Sequence, residues 1–130
     1  MNSFFNVYHN EICPTLKALD LIIKAHYNNV DINELSNLLH ITPSEIKVIL
    51  SSKHINNLTS DIIPTIMLNG SSYICKIFKK SLSYYNSNTY SPKDIAYIYS
   101  IDKEKVQKAF DKLHITEISE ENLSALFKLI

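Results

Sequence analysis

Between residues 105 and 112 stand side chains with the chemistry to meet a charged, patterned partner. Lys105, Lys108 and Lys112 recur at spacings of three and four, which places them along one side of a helix. Their ammonium groups reach phosphate oxygens as point charges. Gln107 stands nearby, and a Gln carboxamide can donate and accept together along an adenine edge. Lys93 adds a charge upstream. In an earlier stretch Ser44, Lys47, Val48 and Ser51, with Ser52, make a small and nearly neutral face whose apolar centre is Val48. That face suits close approach to base edges or to another protein. An ordinary solvated face accounts for the lysines equally well: Glu104 and Asp111 lie beside them, Glu104 one turn before Lys108, as in surface ion pairs.

The elements that position these residues are written twice. Residues 31–58 return sixty positions later as residues 91–118. Leu35-Ser36, Leu38-Leu39, His40-Ile41-Thr42, Ile46, Ile49-Leu50 and His54-Ile55 line up with Ile95-Ala96, Ile98-Tyr99, Ser100-Ile101-Asp102, Val106, Ala109-Phe110 and His114-Ile115. Few pairs are identical. The order of apolar, small and capping positions repeats, which is what packing selects.

Capping signals set the limits. Phe4, Phe5, Tyr8 and Ile12 predict a short leading helix over 3–12, and Pro14 suits the first position of a new helix with Cys13 as its cap. Leu16, Leu19, Ile22-Ile23 and His26 give that helix a stripe. Asp31 with Glu34, and Thr42 with Glu45, read as two capping boxes, with Pro43 opening the second helix. Ser71 or Ser72 caps a second long helix with Ile74, Ile77-Phe78, Leu82 and Tyr85 buried, reaching Asn86. Ser91, with Pro92 and Asp94, caps the next helix, and Asp102 the one after it.

The segment 62–68 before Asn69-Gly70 fits a hairpin strand, because Asn-Gly is a strong two-residue turn signal. The repeat points the other way. Ile63, Ile66 and Met67 match Leu123, Leu126 and Phe127 in a plainly helical stretch, 120–128. We expect a helix capped by Asp61, with Pro64 at its third position and Gly70 ending it. The expected organisation is a leading helix at 1–12, one unit at 13–70 and a second at 71–130, all-α and packed as one compact helical protein.

Both units resemble the general bacterial helix-turn-helix over about twenty residues each. That motif needs a small residue in its first helix, an apolar residue after the turn and apolar anchors on its second helix. Here these are Ser36, Ile41, Ile46 and Ile49, then Ala96, Ile101, Val106 and Ala109. His40 and Ser100 replace the usual turn Gly. The resemblance implies that the second helix of each motif enters the DNA major groove, with Ser44, Lys47, Val48, Ser51, Lys93, Lys105, Gln107, Lys108 and Lys112 as DNA contacts. It implies a small transcriptional regulator binding double-stranded DNA with sequence preference, alone or as a homodimer. The alternative is a protein-interaction module on the same scaffold.

Composition sets the bounds. The chain has 130 residues, 45% of them hydrophobic, with formal net charge zero and no Arg, so no gross charge announces a partner. From Lys76 to Lys112 there are eight Lys against four acids, and the basic potential sits there. Tyr73, Tyr84, Tyr85, Tyr90, Tyr97 and Tyr99 crowd the same region and read first as half-buried packing or an interface. A single Gly excludes the usual glycine-rich phosphate loops, and no nucleophile–base pair or metal-ligand spacing is present, so we expect no enzyme, cofactor or metal. Cys13 and Cys75 read as buried thiols of a reducing cytoplasm. The start carries no signal-peptide pattern, and no run approaches a membrane span; the expected location is cytoplasmic.

Overall fold

A computed structural model describes residues 4–84 and 87–130. Met1, Asn2, Ser3, Tyr85 and Asn86 lie outside the described residues, and with them the expected helix start at Ser3 and the expected helix end at Asn86 with Tyr85 in its stripe. The class is all-α: α1 (Phe4–Val7), a π-helical turn (Tyr8–Ile12), α2 (Cys13–Ala25), α3 (Ile32–Leu39), α4 (Pro43–Ser52), α5 (Ile63–Asn69), α6 (Tyr73–Ser81), α7 (Pro92–Tyr99), α8 (Lys103–Leu113) and α9 (Leu123–Phe127). Single 3-10 turns precede α5 and α9, at Ser60–Ile62 and Glu120–Asn122, and another follows α6 at Leu82–Tyr84. No helix among the described residues is long and apolar enough to cross a membrane.

The chain divides into two compact units, Pro14–Lys79 and the described residues of Met1–Cys13 with Lys80–Ile130. From sequence the breaks are expected after residues 12 and 70; in the structure residues 71–79 go with the residues before them and the leading helix with the second half.

In the unit Pro14–Lys79 the core is Leu19, Leu35, Leu39, Ile41, Ile46, Ile49, Ile63, Ile66, Met67, Ile74, Cys75 and Ile77. Asp31 caps α3 by accepting from the Asn33 and Glu34 N–H groups at 2.7 and 3.1 Å. His40 ends it in the left-handed region, φ 57° and ψ 37°, and its N–H donates to the Ser36 carbonyl. The Ile41 N–H reaches the same carbonyl at 3.3 Å, while the buried Ser36 hydroxyl donates back to the Ile41 carbonyl. A three-residue turn thus leads into α4, where Thr42 Oγ1 accepts from the Glu45 N–H at 3.1 Å. Val30 N–H bonds the Leu58 carbonyl at 2.9 Å, tying the chain before α3 to the chain after α4.

The unit containing Lys80–Ile130 buries Tyr8, Ile12, Ile95, Ile98, Tyr99, Val106, Ala109, Phe110, Ile118, Leu123, Leu126 and Phe127. Ser91 and Asp94 form a full capping box at 2.9 and 3.3 Å. Ser100 ends α7 at φ 55° and ψ 48°, and the Ile101 N–H bonds the Ala96 carbonyl at 3.1 Å. Tyr90 and Ile118 exchange both backbone bonds, at 2.8 and 2.9 Å. The leading helix supplies aromatic packing: the Phe4 and Tyr8 rings each lie 4.7 Å from the Phe127 ring. Some helices of the two units begin sixty positions apart: Ile32 and Pro92, Pro43 and Lys103, Ile63 and Leu123.

Several local expectations need correction. Cys13 caps nothing: its backbone is right-handed helical and its N–H donates to the Tyr8 carbonyl, closing the π turn. That widened turn sits just ahead of Pro14, where a regular helix would drive the ring into the carbonyl four residues back. Asp102 makes no side-chain cap. The Thr42–Glu45 box is half made, because the Glu45 carboxylate is spent on Ser71. The 3-10 turn takes Asp61 into its own body, with Thr59 at the cap and Ile62 preceding α5. Leu82 and His26, expected in buried stripes, are exposed, since the α-helical period stops at Ser81 and Ala25. Where a hairpin strand was the alternative, residues 63–69 form α5 and no strand, in line with the expected helix.

Candidate nucleic-acid interface

An α-helix turns about 100° per residue, so burial on one side fixes which side chains face out. On α4, Ile46 and Ile49 are buried, and Ser44, Lys47, Val48 and Ser51 share the opposite arc of about 100°. All four are exposed, Val48 to 67%. Glu45, on the same helix, is drawn aside: Oε2 accepts from the Ser71 N–H and Oε1 from the Ser71 hydroxyl, each at 2.8 Å. The outward face of α4 is therefore small and uncharged apart from Lys47. Beside it, at the α3–α4 turn, a shallow cleft is lined by His40, Thr42, Glu45 and Ser71 among others.

On α8, Val106, Ala109 and Phe110 are buried. Lys105, Lys108 and Lys112 are exposed within an arc of about 60°. Gln107 does not join them. It lies about 160° around the helix from Lys105, and its Nε2 donates to Asp111 Oδ1 at 3.0 Å. Among the described residues none of the three lysines has a carboxylate within ion-pair distance. The Glu104–Lys108 pair that an ordinary solvated face would show is not formed. Lys93 is exposed at the second position of α7, on a different helix from the lysine arc.

Lys80 is one of the eight lysines counted from 76 to 112, and its partners are set by packing. Lys80, half-buried, donates from Nζ to Ser100 Oγ at 2.9 Å and stands 5.1 Å from the centroid of the Tyr97 ring, which is 52% exposed. Nothing local in the sequence pairs positions 80, 97 and 100. Among the described residues, Tyr8, Tyr84, Tyr90 and Tyr99 of this unit each pack against another ring. Tyr84 and Tyr90 meet edge to face at 6.1 Å, and their phenols are held above the usual range by loss of water contact first, with Asp94 adding to both.

Four of the five histidines mark helix ends. His26, His40, His54 and His114 all adopt positive φ, between 53° and 57°, and each stands at or just past a helix end. Among non-glycine residues His is one of those enriched in that region. In a chain with one Gly, histidine is filling the helix-ending position that glycine usually takes. Cys75 is buried and Cys13 half-buried, both free thiols; burial pushes the Cys75 thiol up. Among the described residues no three His, Cys, Asp or Glu side chains gather in a way that could hold a metal ion.

No protein-family model, curated protein or solved structure matches this chain.

Proposed function

We propose that the protein binds double-stranded DNA with sequence preference, as a small transcriptional regulator. In this reading α3–α4 and α7–α8 are two helix-turn-helix motifs of a tandem duplication, and α4 and α8 are the helices presented to the major groove. The observation that carries it is the arc of Lys105, Lys108 and Lys112 on α8, outward and without carboxylate partners among the described residues. Lysines left unpaired retain their full attraction for phosphate. Ser44, Lys47, Val48 and Ser51 on α4 are small enough for close approach to base edges. Gln107 would have to release Asp111 before pairing with adenine, so it contributes after docking.

The test is binding selection from random duplexes at low salt, followed by gel shift. Enrichment of a motif is expected, with affinity falling at a log-log slope of about −0.9 per phosphate neutralised. The double variant Lys105→Glu, Lys108→Glu should abolish binding, while Lys17→Glu, Lys24→Glu should leave most of it. Absence of any enrichment at low salt would sink the reading.

A second reading, a protein-interaction module on the same scaffold, is favoured by Val48 exposed at the centre of a nearly neutral face and by zero net charge. Its partner should survive nuclease treatment in a pull-down and be lost with Val48→Lys. Partners that all disappear with nuclease would count against it.

A further inference from the structure

The turn between α7 and α8 holds a cation in place. Lys80 Nζ donates to Ser100 Oγ at 2.9 Å and lies 5.1 Å from the Tyr97 ring centroid. Ser100 is itself the left-handed residue that ends α7, so its hydroxyl is positioned by the turn. We propose that Lys80 is a phosphate contact of the bound duplex, a fixed anchor beside the α7–α8 turn. This rests on the duplex-binding reading and assigns to that surface a residue outside the lysine arc of α8.

Three features support it. An ammonium has three N–H donors, and Ser100 takes one, leaving two for a phosphodiester oxygen pair. The residue is half-buried and its head is already held by a hydroxyl and a ring face, so less side-chain freedom is lost on binding than for an unheld lysine. Among the described residues no carboxylate stands within ion-pair distance of Nζ.

The unit Pro14–Lys79 has nothing equivalent. Sixty positions before Lys80 is Asp20, whose Oδ2 lies 2.8 Å from Lys24 Nζ, and Asn37 and His40 stand where Tyr97 and Ser100 do. The charge at the matching position is reversed. Most of the grip on the DNA backbone therefore comes from the unit containing Lys80–Ile130, while the α4 face, with Lys47 its one charge, contributes shape and base-edge contact.

A phosphate contact positions without reading sequence, and this separates Lys80 from base-reading residues. The experiment is fluorescence anisotropy with the full chain, using a labelled selected duplex and a labelled random one across a salt series. It compares the unmodified protein, Lys80→Gln, Lys80→Arg and Asp20→Asn, with a thermal melt of each. Lys80→Gln should reduce the magnitude of the log-log salt slope by about 0.9 and weaken both duplexes by the same factor. Lys80→Arg should restore the slope, and Asp20→Asn should leave it unchanged. A Lys80→Gln slope equal to that of the unmodified protein would overturn the inference and leave duplex binding standing. Failure of Lys80→Arg to restore the slope would overturn it too, by making the role structural. No duplex binding by the unmodified protein at low salt would overturn both.

Discussion

Both carboxylate oxygens of Glu45 are engaged by one residue, Ser71, whose N–H and hydroxyl each donate at 2.8 Å. Twenty-six residues separate the two. The bond fastens the first turn of α4 to the chain just ahead of α6, and it removes the one acid of α4 from the outward face. Because both bonds are solvent-exposed, the net contribution is near the low end for charged hydrogen bonds, about 1 kcal/mol. Glu45→Ala should lower stability by about that amount in urea unfolding. Glu45→Gln, which keeps one acceptor oxygen, should lower it by less.

The turn residues predict the opposite sign. His40 and Ser100 hold φ near 57° and 55°, a region that costs an L-residue roughly 1–2 kcal/mol. Glycine removes that cost but loses about 0.5–1 kcal/mol of chain entropy. His40→Gly and Ser100→Gly should each stabilise by up to about 1 kcal/mol, and the two gains should add because they fall in different units. His40→Val should destabilise, since a β-branched residue is a true outlier there. Urea midpoints of these three variants and of the double glycine variant check this.

Gly70 ends α5 with φ −76° and ψ 154°, an extended backbone open to any residue. It is glycine because a Cβ would fall inside contact distance of Cys75 Sγ and crowd the Ile66 carbonyl. Cys75 is fully buried, so its sulfur has little room to yield. Gly70→Ala should cost about 1–3 kcal/mol, as overpacking does. Part of that should return in the double variant with Cys75→Ala. A double-mutant cycle by chemical denaturation measures the coupling, and additive costs would refute the contact.

Burial of Tyr8, with the neighbouring Cys13 adding to it, pushes its phenol well above the ordinary 10.0. A phenol kept neutral in the folded chain but free to ionise when unfolded makes stability complete below the unfolded value. Stability then falls as pH rises beyond it. Unfolding free energy should therefore decline from about pH 10 upward, and Tyr8→Phe should make that decline shallower. The same slope in both proteins would rule out Tyr8 as a source.

Sequence alone determined the helical class, the helix at 62–68 and the sites of most helix starts. These follow from interactions within about four residues: an Asp31 or Ser91 cap, a proline at the head of a helix, apolar residues at helical spacing. The two halves of the sequence, compared at an offset of sixty, added information that one stretch lacks. Comparing Ile63, Ile66 and Met67 with Leu123, Leu126 and Phe127 overruled a local Asn-Gly signal that favoured a hairpin. The outward positions of Ser44, Lys47, Val48, Ser51, Lys105, Lys108 and Lys112 were legible for the same reason.

Tertiary structure decided what depended on a partner far along the chain. Glu45 could have closed a capping box with Thr42, and only the arrival of Ser71 spent its carboxylate elsewhere. Gln107 had Asp111 within reach four residues on, but the choice between that amide and the lysines needed side-chain geometry. Lys80 met Ser100 across twenty residues, with no periodicity to announce it. Gly70 read as a helix-ending glycine and proved to be a matter of space against Cys75. Local signals set where helices begin and end, because the groups that compete are neighbours on the chain. Charge pairing, close approach and burial are settled among groups that only packing brings together.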